Sequence, residues 1–387
     1  MAHAAARHDG NGDWLEDLRA RAALHLIAPD DATPTHAHVV VAAALASTVR
    51  AASGPCRARV EVAPGDENFA LALIAALALP EGAAAAADPA SIALVRLAER
   101  VGARDVTVLV TGPTGTGKEV LARTIHASSP RRQEAFVAVN CAALPEAMLE
   151  ALLFGHERGA FTGAQTGSKG LMRAAHGGTL LLDEIAELPL GCQAKLLRAL
   201  QEREVLAIGA TNPAPVDVRV VATANRDLAA EVAAGRFRAD LYYRLAVFPL
   251  ATTALRHRPA DLLALVATLI LRATAPKWPT PAALAKLAAH DWPGNVRELA
   301  NVLERAGVYA DGPGIDARDI VFDALPGAAA APGPLPLQVR EREHDMIRRT
   351  LGACAGRRGE AARSLGISER TLRYKLAAMR PAAVTVQ

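Results

Sequence analysis

The chain has 387 residues, about half of them apolar, enough for two or three domains with a buried core. Its longest apolar runs, VVVAAALA from Val39 and LALIAALAL from Leu71, stop well short of the roughly 18 residues of a membrane span, and MAHAAARHDGNGDW lacks the pattern of a signal peptide; a cytoplasmic protein with no membrane partner is expected. Net charge is +3, but eleven Arg and Lys against five Asp and Glu from Gln338 onward leave −3 on the rest, a basic tail that predicts a nucleic-acid module; four scattered cysteines without a CxxC pair argue against a zinc site or disulfide framework and fit a reducing compartment.

Residues 1–86 are alanine-rich and run into PEGAAAAADP, a low-complexity stretch that reads as a linker. Over 87–255, short apolar runs alternate with helical stretches. VTVLVT (106–111), AFVAVN (135–140), TLLLDE (179–184), VRVVATAN (218–225) and AVFPL (246–250) read as buried strands, and the alternation predicts a parallel α/β sheet covered on both faces. After about Arg258 the strands stop. PADLLALVATLILRA, TPAALAKLAAHDW and NVRELANVLERAGVY keep helical spacing, so 256–325 is expected to form a small helical lid. PGAAAAPGPLPL (326–337) holds too much proline and glycine for either element and reads as a tether, leaving 338–387 as the basic module.

The chemistry begins at GPTGTGK, formed by Gly112, Pro113, Thr114, Gly115, Thr116, Gly117 and Lys118, between a predicted strand and a predicted helix. In that setting glycines let backbone N–H groups face a phosphate, the helix N-terminus adds a favourable dipole, and the lysine reaches the terminal phosphoryl oxygens. Glu119 replaces the Ser or Thr that usually ligates Mg²⁺ there. LLLDE supplies Asp183, suited to holding Mg²⁺ through water, and Glu184, suited to polarising an attacking water. Asn140 and Asn225 end two further predicted strands, where ligands sit in parallel sheets, although an asparagine there can equally cap a helix. Arg238 and Arg244 in RFRADLYYRL suit the charge of a transferring phosphoryl group, within one subunit or across two; surface ion pairing is the alternative. In WPGNVREL, Asn295 is expected to cap a helix starting at Val296, with Arg297 in its first turn facing the α/β core.

Taken together, these blocks resemble the bacterial enhancer-binding proteins, the sigma-54-dependent transcriptional activators of the NtrC type among the AAA+ ATPases. The resemblance spans about Asp88 to Leu325 and resumes in the tail. It is carried by LFGHERGAFTGA, GGTLLLDEI, QAKLLRALQERE, FRADLYYRL and WPGNVREL, and most specifically by GAFTGA, residues Gly159, Ala160, Phe161, Thr162, Gly163 and Ala164. It implies an α/β fold: an AAA+ P-loop ATPase core with parallel sheet and helical lid, plus a C-terminal all-α Fis-type helix-turn-helix.

By this resemblance Gly112 to Glu119 match the Walker A motif, which in the family commonly ends in GKE, and Asp183 and Glu184 match Walker B. Asn140 matches an asparagine that holds the catalytic glutamate until the nucleotide state changes. Asn225 looks like sensor I and Arg297 like sensor II, while Arg238 and Arg244 look like arginines donated across a subunit interface. The implied machine is a ring, usually a hexamer, that hydrolyses ATP with Mg²⁺ to remodel a closed complex of sigma-54 RNA polymerase, with Phe161 and Thr162 at the tip of the loop that touches the sigma factor. In the tail, EAARSLGIS resembles the first helix and turn of the DNA-binding motif and SERTLRYKLAAM the recognition helix. There Ser368 is the N-cap, and Arg370, Thr371, Arg373, Tyr374 and Lys375 are placed to reach bases or phosphates of double-stranded DNA.

The departures from the family pattern are specific. Pro113 stands where glutamate is usual, ALRHRPADL replaces a PLRER-type segment, and Arg357, Gly359 and Glu360 replace the usual Asn, Thr and Arg of the tail. Residues 1–86 show no receiver pattern and are too short for a complete receiver, so a partner protein or cell-state signal is expected in place of a histidine kinase. The central blocks resemble those of flagellar regulators in the family. A DNA-binding regulator that uses nucleotide only to set its oligomeric state is the competing reading, and intact Glu184, Arg238, Arg244 and GAFTGA favour the activator over it.

Overall fold

A computed structural model of the chain describes residues 25–27, 38–51, 56–80, 82–160 and 165–323. The expectations placed on Phe161, Thr162, Gly163 and Ala164, on the tether and on the basic tail lie outside these residues. The chain divides into two compact units, Met1–Val321 and Phe322–Gln387, and every element below belongs to the first. Among the described residues no helix is long and apolar enough to cross a membrane.

The N-terminal region holds more structure than its alanine-rich composition suggests. Strands β1 (His25–Ile27), β2 (His38–Ala43), β3 (Thr48–Ala51) and β4 (Cys56–Val62) form a sheet in the order β1-β2-β4-β3, parallel except for β3 against β4. An acidic pair, Asp30–Asp31, follows β1 in the sequence, a feature that the expectation of no receiver pattern in residues 1–86 overlooks. Helix α1 (Glu67–Ala78) buries Phe69, Ala70 and Leu73.

Helix α2 (Pro89–Gly102) starts the α/β core. Asp88 caps it, its side chain accepting from the Ala90 amide, with Pro89 in the first turn where no N–H is needed. The core continues through β5 (Val108–Thr111), α3 (Lys118–Ala127), β6 (Phe136–Asn140), α4 (Glu146–Phe154), α5 (Leu171–Ala174), β7 (Thr179–Asp183) and α6 (Leu190–Glu202). A short antiparallel pair, β8 (Glu204–Val205) and β9 (Ala214–Pro215), precedes β10 (Arg219–Ala224), α7 (Leu228–Ala233), α8 (Ala239–Leu245) and β11 (Phe248–Ala251). The five expected strands form one parallel sheet in the order β11-β5-β10-β7-β6.

Both faces of this sheet are covered, which is why its central strands read as unbroken apolar runs. Leu180 and Leu182 of β7 pack with α4 and α6 residues such as Leu149 and Leu196, while Leu181 between them packs with Leu121 and Ile125 of α3 on the opposite face. Glu184 and Asn225 fall one residue beyond the strands predicted to contain them. The C-terminal strand edge therefore gathers Gly112, Asn140, Asp183, Glu184, Asn225 and Thr252.

The lid is α9 (Asp261–Arg272), α10 (Pro281–Ala288) and α11 (Asn295–Tyr309), as the helical spacing predicts. It departs from an all-helical lid in one respect: β12 (Trp278–Pro279) and β13 (Gly314–Ile315) pair in parallel and close it. Helix α1 packs along α9, and the Phe69 ring meets Trp278 edge-on at 5.1 Å. Burying side chains of this size contributes about 1.5–3 kcal/mol each. The alanine run read as a linker is accordingly held, not free: the amides of Ala87 and Asp88 donate to buried Asp261 on the lid.

Candidate functional site

The phosphate loop is shaped by what surrounds it. Gly112 has φ +140°, and a Cβ there would stand 2.2 Å from Thr252 Oγ1; Gly115 has φ +77°, and its Cβ would stand 2.5 Å from Gly294 O. Sheet and lid thus press on the loop from two sides, and no larger residue fits either position. The Thr116 hydroxyl donates to Pro113 O (2.8 Å) and pairs with Thr252 Oγ1 (2.7 Å), so it braces the loop. Lys118 is 8 % exposed and its Nζ donates to Gly112 O (2.9 Å) and Pro113 O (3.0 Å). Burial pulls the ammonium pKa below the ordinary lysine value, nearby Arg297 adds to that, and Asp183 and Glu184 oppose it. Glu119 leaves the loop: its carboxylate binds Arg123 at 2.7 Å on the helix surface.

The lid supplies Arg297 and a clamp. Val296 N donates to Gly115 O (2.9 Å), and Arg297 Cβ would meet a Cβ on Gly115 at 3.1 Å, so the first turn of α11 lies on the loop. Asn295 does not cap its helix as expected. It adopts φ 55° and its amide bridges two segments, accepting from Leu255 N (2.8 Å) and donating to Thr114 O (2.9 Å).

Opposite Lys118, β7 ends at Asp183, whose Oδ1 accepts from the Thr223 hydroxyl. Glu184, with φ 54°, donates its own amide to the same Thr223 oxygen at 3.1 Å. Asn140 pairs in register with Asp183, but its Oδ1 accepts from Ala142 N at 2.8 Å, a local turn in place of the predicted hold on Glu184. Asn225 Oδ1 is buried and has no partner. Next door, burial lifts the Cys141 thiol to about 12, which leaves it inert. Among the described residues no group of three His, Cys, Asp or Glu forms a metal cage. Any Mg²⁺ here would lean on Asp183, phosphates and water, the usual habit of that ion.

Arg238 and Arg244 hydrogen-bond to groups outside this centre. Arg238 makes a bidentate pair with Asp240 (2.7 and 3.1 Å), and Arg244 Nη2 donates to Leu200 O (2.9 Å). Fully buried Gln193, accepting from Arg238 N at 2.8 Å and donating to Leu188 O and Arg236 O, fixes the backbone that carries the first arginine. The loop that contains Gly159 and Ala160 is closed at its base by reciprocal His156–Ser168 backbone bonds of 2.9 Å, and Glu157 N adds a third to Ile208 O.

Three family models match in chain order: the sigma-54 interaction domain over residues 85–251, the AAA+ ATPase lid domain over 256–333, and the bacterial regulatory protein, Fis family, over 338–379. The response regulator protein FleR of Pseudomonas aeruginosa is 51 % identical over 337 residues, covering 78 % of this chain and 71 % of FleR. The chain belongs to the sigma-54-dependent activators. The transcriptional regulatory protein FlbD of Caulobacter vibrioides is 41 % identical over 387 residues, covering 93 % of this activator and 85 % of FlbD. A crystal structure of NtrX from Brucella abortus in complex with ATP superposes with a TM-score of 0.59 at 26 % identity, covering 95 % of this chain and 92 % of that one. As a member of the family this activator is an ATP-binding AAA+ ATPase that acts with sigma-54 and carries a Fis-type DNA-binding helix-turn-helix.

Sequence reasoning missed two residues of this activator. Thr223 was legible as a lone hydroxyl in the apolar strand RVVATA, and Gln193 as a polar residue within an apolar helix face. Thr223→Val keeps the volume but strips Asp183 and the Glu184 amide of their shared partner. It is expected to lower ATP turnover by about 10–100-fold through misplacement, with nucleotide affinity little changed. Thr223→Ser should retain turnover; steady-state ATPase and nucleotide-binding measurements on both variants test this.

Proposed function

We propose that the chain binds upstream DNA through its tail, assembles into a ring, most simply a hexamer, and uses ATP hydrolysis to remodel closed complexes of sigma-54 RNA polymerase in the cytoplasm. One observation carries the ring: Lys118, Asp183, Glu184, Asn225 and Arg297 gather at one sheet edge, whereas the exposed Arg238 and Arg244 bond to Asp240 and to the Leu200 carbonyl instead. Apart from the lid's Arg297 such a site has no arginine of its own, and it would be completed by those of a neighbouring subunit.

Within the site, the phosphate loop and Lys118 would cradle the β- and γ-phosphates and Arg297 would approach from the lid. Asp183 would hold Mg²⁺ through water, the ion neutralising phosphate charge when bound. Thr223 holds Asp183 and turns the Glu184 backbone so that its carboxylate can take a proton from water. The unpartnered Asn225 oxygen suits a water at the same edge. Phe161 and Thr162 would contact the sigma factor, and residues 1–86 would receive a regulatory protein or signal.

The test is Thr162→Ala. With Thr162 at an exposed loop tip, as the resemblance implies, the change should cost within about 0.5 kcal/mol of stability. The variant is expected to hydrolyse ATP and bind DNA, yet neither open promoter complexes nor capture sigma-54 in the presence of ADP with aluminium fluoride. Normal promoter opening by this protein would refute the proposal.

A further inference from the structure

We infer that Asp261 is a positioning residue for the nucleotide site, and that through it the alanine-rich run 83–88 works as part of that site; this rests on the ATPase reading of the phosphate loop. Asp261 opens α9 and is completely buried. Its Oδ1 accepts from Ala87 N and Asp88 N, both at 2.7 Å, while its Oδ2 accepts from Ser91 Oγ and stands 3.4 Å from Arg258 Nη1. The second Arg258 nitrogen, Nη2, donates to Thr116 O at 2.7 Å. One planar fork is therefore committed at one prong to the buried carboxylate and at the other to the phosphate loop, two residues before Lys118.

A buried carboxylate is tolerated only when its lone pairs are satisfied, and the donors here come from three segments: the run ahead of α2, the first turn of α2, and Arg258. If the run is displaced, Asp261 loses partners and Arg258 loses the charge that orients it. The consequence arrives at Thr116. The same groups enclose a common space, since Ala83 to Ala86, Ser91, Arg258 and Thr116 line one cavity of about 200 Å³ beside the loop. Helix α1 packs on α9, the helix that Asp261 opens, so the N-terminal region is mechanically joined to the Asp261 end of this relay. Nucleotide affinity thereby becomes sensitive to residues upstream of the loop by some thirty positions, and nucleotide in turn orders that run.

The experiment uses the full chain and three substitutions. Asp261→Asn is expected to weaken binding of a fluorescent ADP analogue roughly tenfold, the scale of a hydrogen bond to a charged group, with the larger share of the kinetic change in KM rather than kcat. Ser91→Ala should move in the same direction by less. Arg258→Lys presents one ammonium that cannot serve both carboxylate and carbonyl, and should match Asp261→Asn; the double variant should be no worse than either single one, since both break one relay. Hydrogen exchange across 83–91 should slow on ADP binding in the wild type and not in Asp261→Asn. Wild-type affinity and wild-type protection in a folded Asp261→Asn protein, or strictly additive effects in the double variant, would overturn the inference. If Asp261→Asn does not fold, Ser91→Ala and Arg258→Lys carry the test by the same two readouts. Lys118→Ala separates the two levels: retained nucleotide binding there sinks the reading of the loop itself, whereas lost binding there with unaltered Asp261, Ser91 and Arg258 variants sinks only the relay.

Discussion

Alanine at Arg238 or Arg244 is expected to cut ATP turnover by about 10³–10⁵, the effect of removing an arginine that neutralises a transferring phosphoryl group. Neither guanidinium touches its own phosphate loop: Arg238 pairs with Asp240 and Arg244 with the Leu200 carbonyl. The loss should therefore be rescued between subunits. Mixing Arg238→Ala protein with Glu184→Gln protein restores interfaces that carry one intact glutamate and one intact arginine, so activity should pass through a maximum as the ratio is varied. A flat response at every ratio would place the arginines in their own subunit's chemistry or outside it altogether. Asp240→Ala provides a control, because it frees Arg238 from its local pair without deleting it.

Glu184→Gln and Lys118→Ala should both stop turnover, for different reasons. The glutamine keeps the backbone of Glu184 on Thr223 and leaves the phosphate cradle whole, so the variant should bind ATP and accumulate in the ATP state, with turnover down by about 10²–10⁴ as expected for a lost general base. Lys118→Ala removes the charge that two loop carbonyls hold at the mouth of the cradle, so nucleotide binding itself should fail. Equilibrium binding of a slowly hydrolysed ATP analogue separates the two; matching defects would refute the division of roles.

The parts of this molecule that a linear sequence displays are those in which neighbours in the chain do the work. Strand β7 is a run of leucines because both its faces are buried, and the phosphate loop is legible because its glycines, strand and helix are contiguous. What escapes is held by distant partners. Asn295 precedes a helix and so looks like a cap, yet its amide serves Thr114, 181 residues earlier, and Leu255, 40 residues earlier. Asp261 looks like an ordinary acidic residue in a first turn, but its ligands lie some 170 residues upstream. The pair β12 and β13 has two residues in each strand, too few for a periodicity to register. In the N-terminal region, frequent alanine flattens the contrast between buried and exposed faces, so α1 and its sheet leave little pattern even though Phe69 and Leu73 are firmly buried.

Among the described residues four non-glycine residues hold left-handed backbone, Glu184, Arg203, Trp292 and Asn295, and two of them flank the phosphate loop. Such a conformation costs a side chain of order 1 kcal/mol or more, and glycine would relieve it. An engineer seeking a hardier version of this chain would turn to those positions first. At Glu184 the relief would delete the carboxylate, and at Asn295 it would unfasten the loop from the lid. The backbone thus keeps a reserve of unclaimed stability in the places where claiming it would silence the motor, and thermal hardening of this ATPase has to be sought elsewhere, among residues such as Arg203 that bear strain without a duty at the nucleotide.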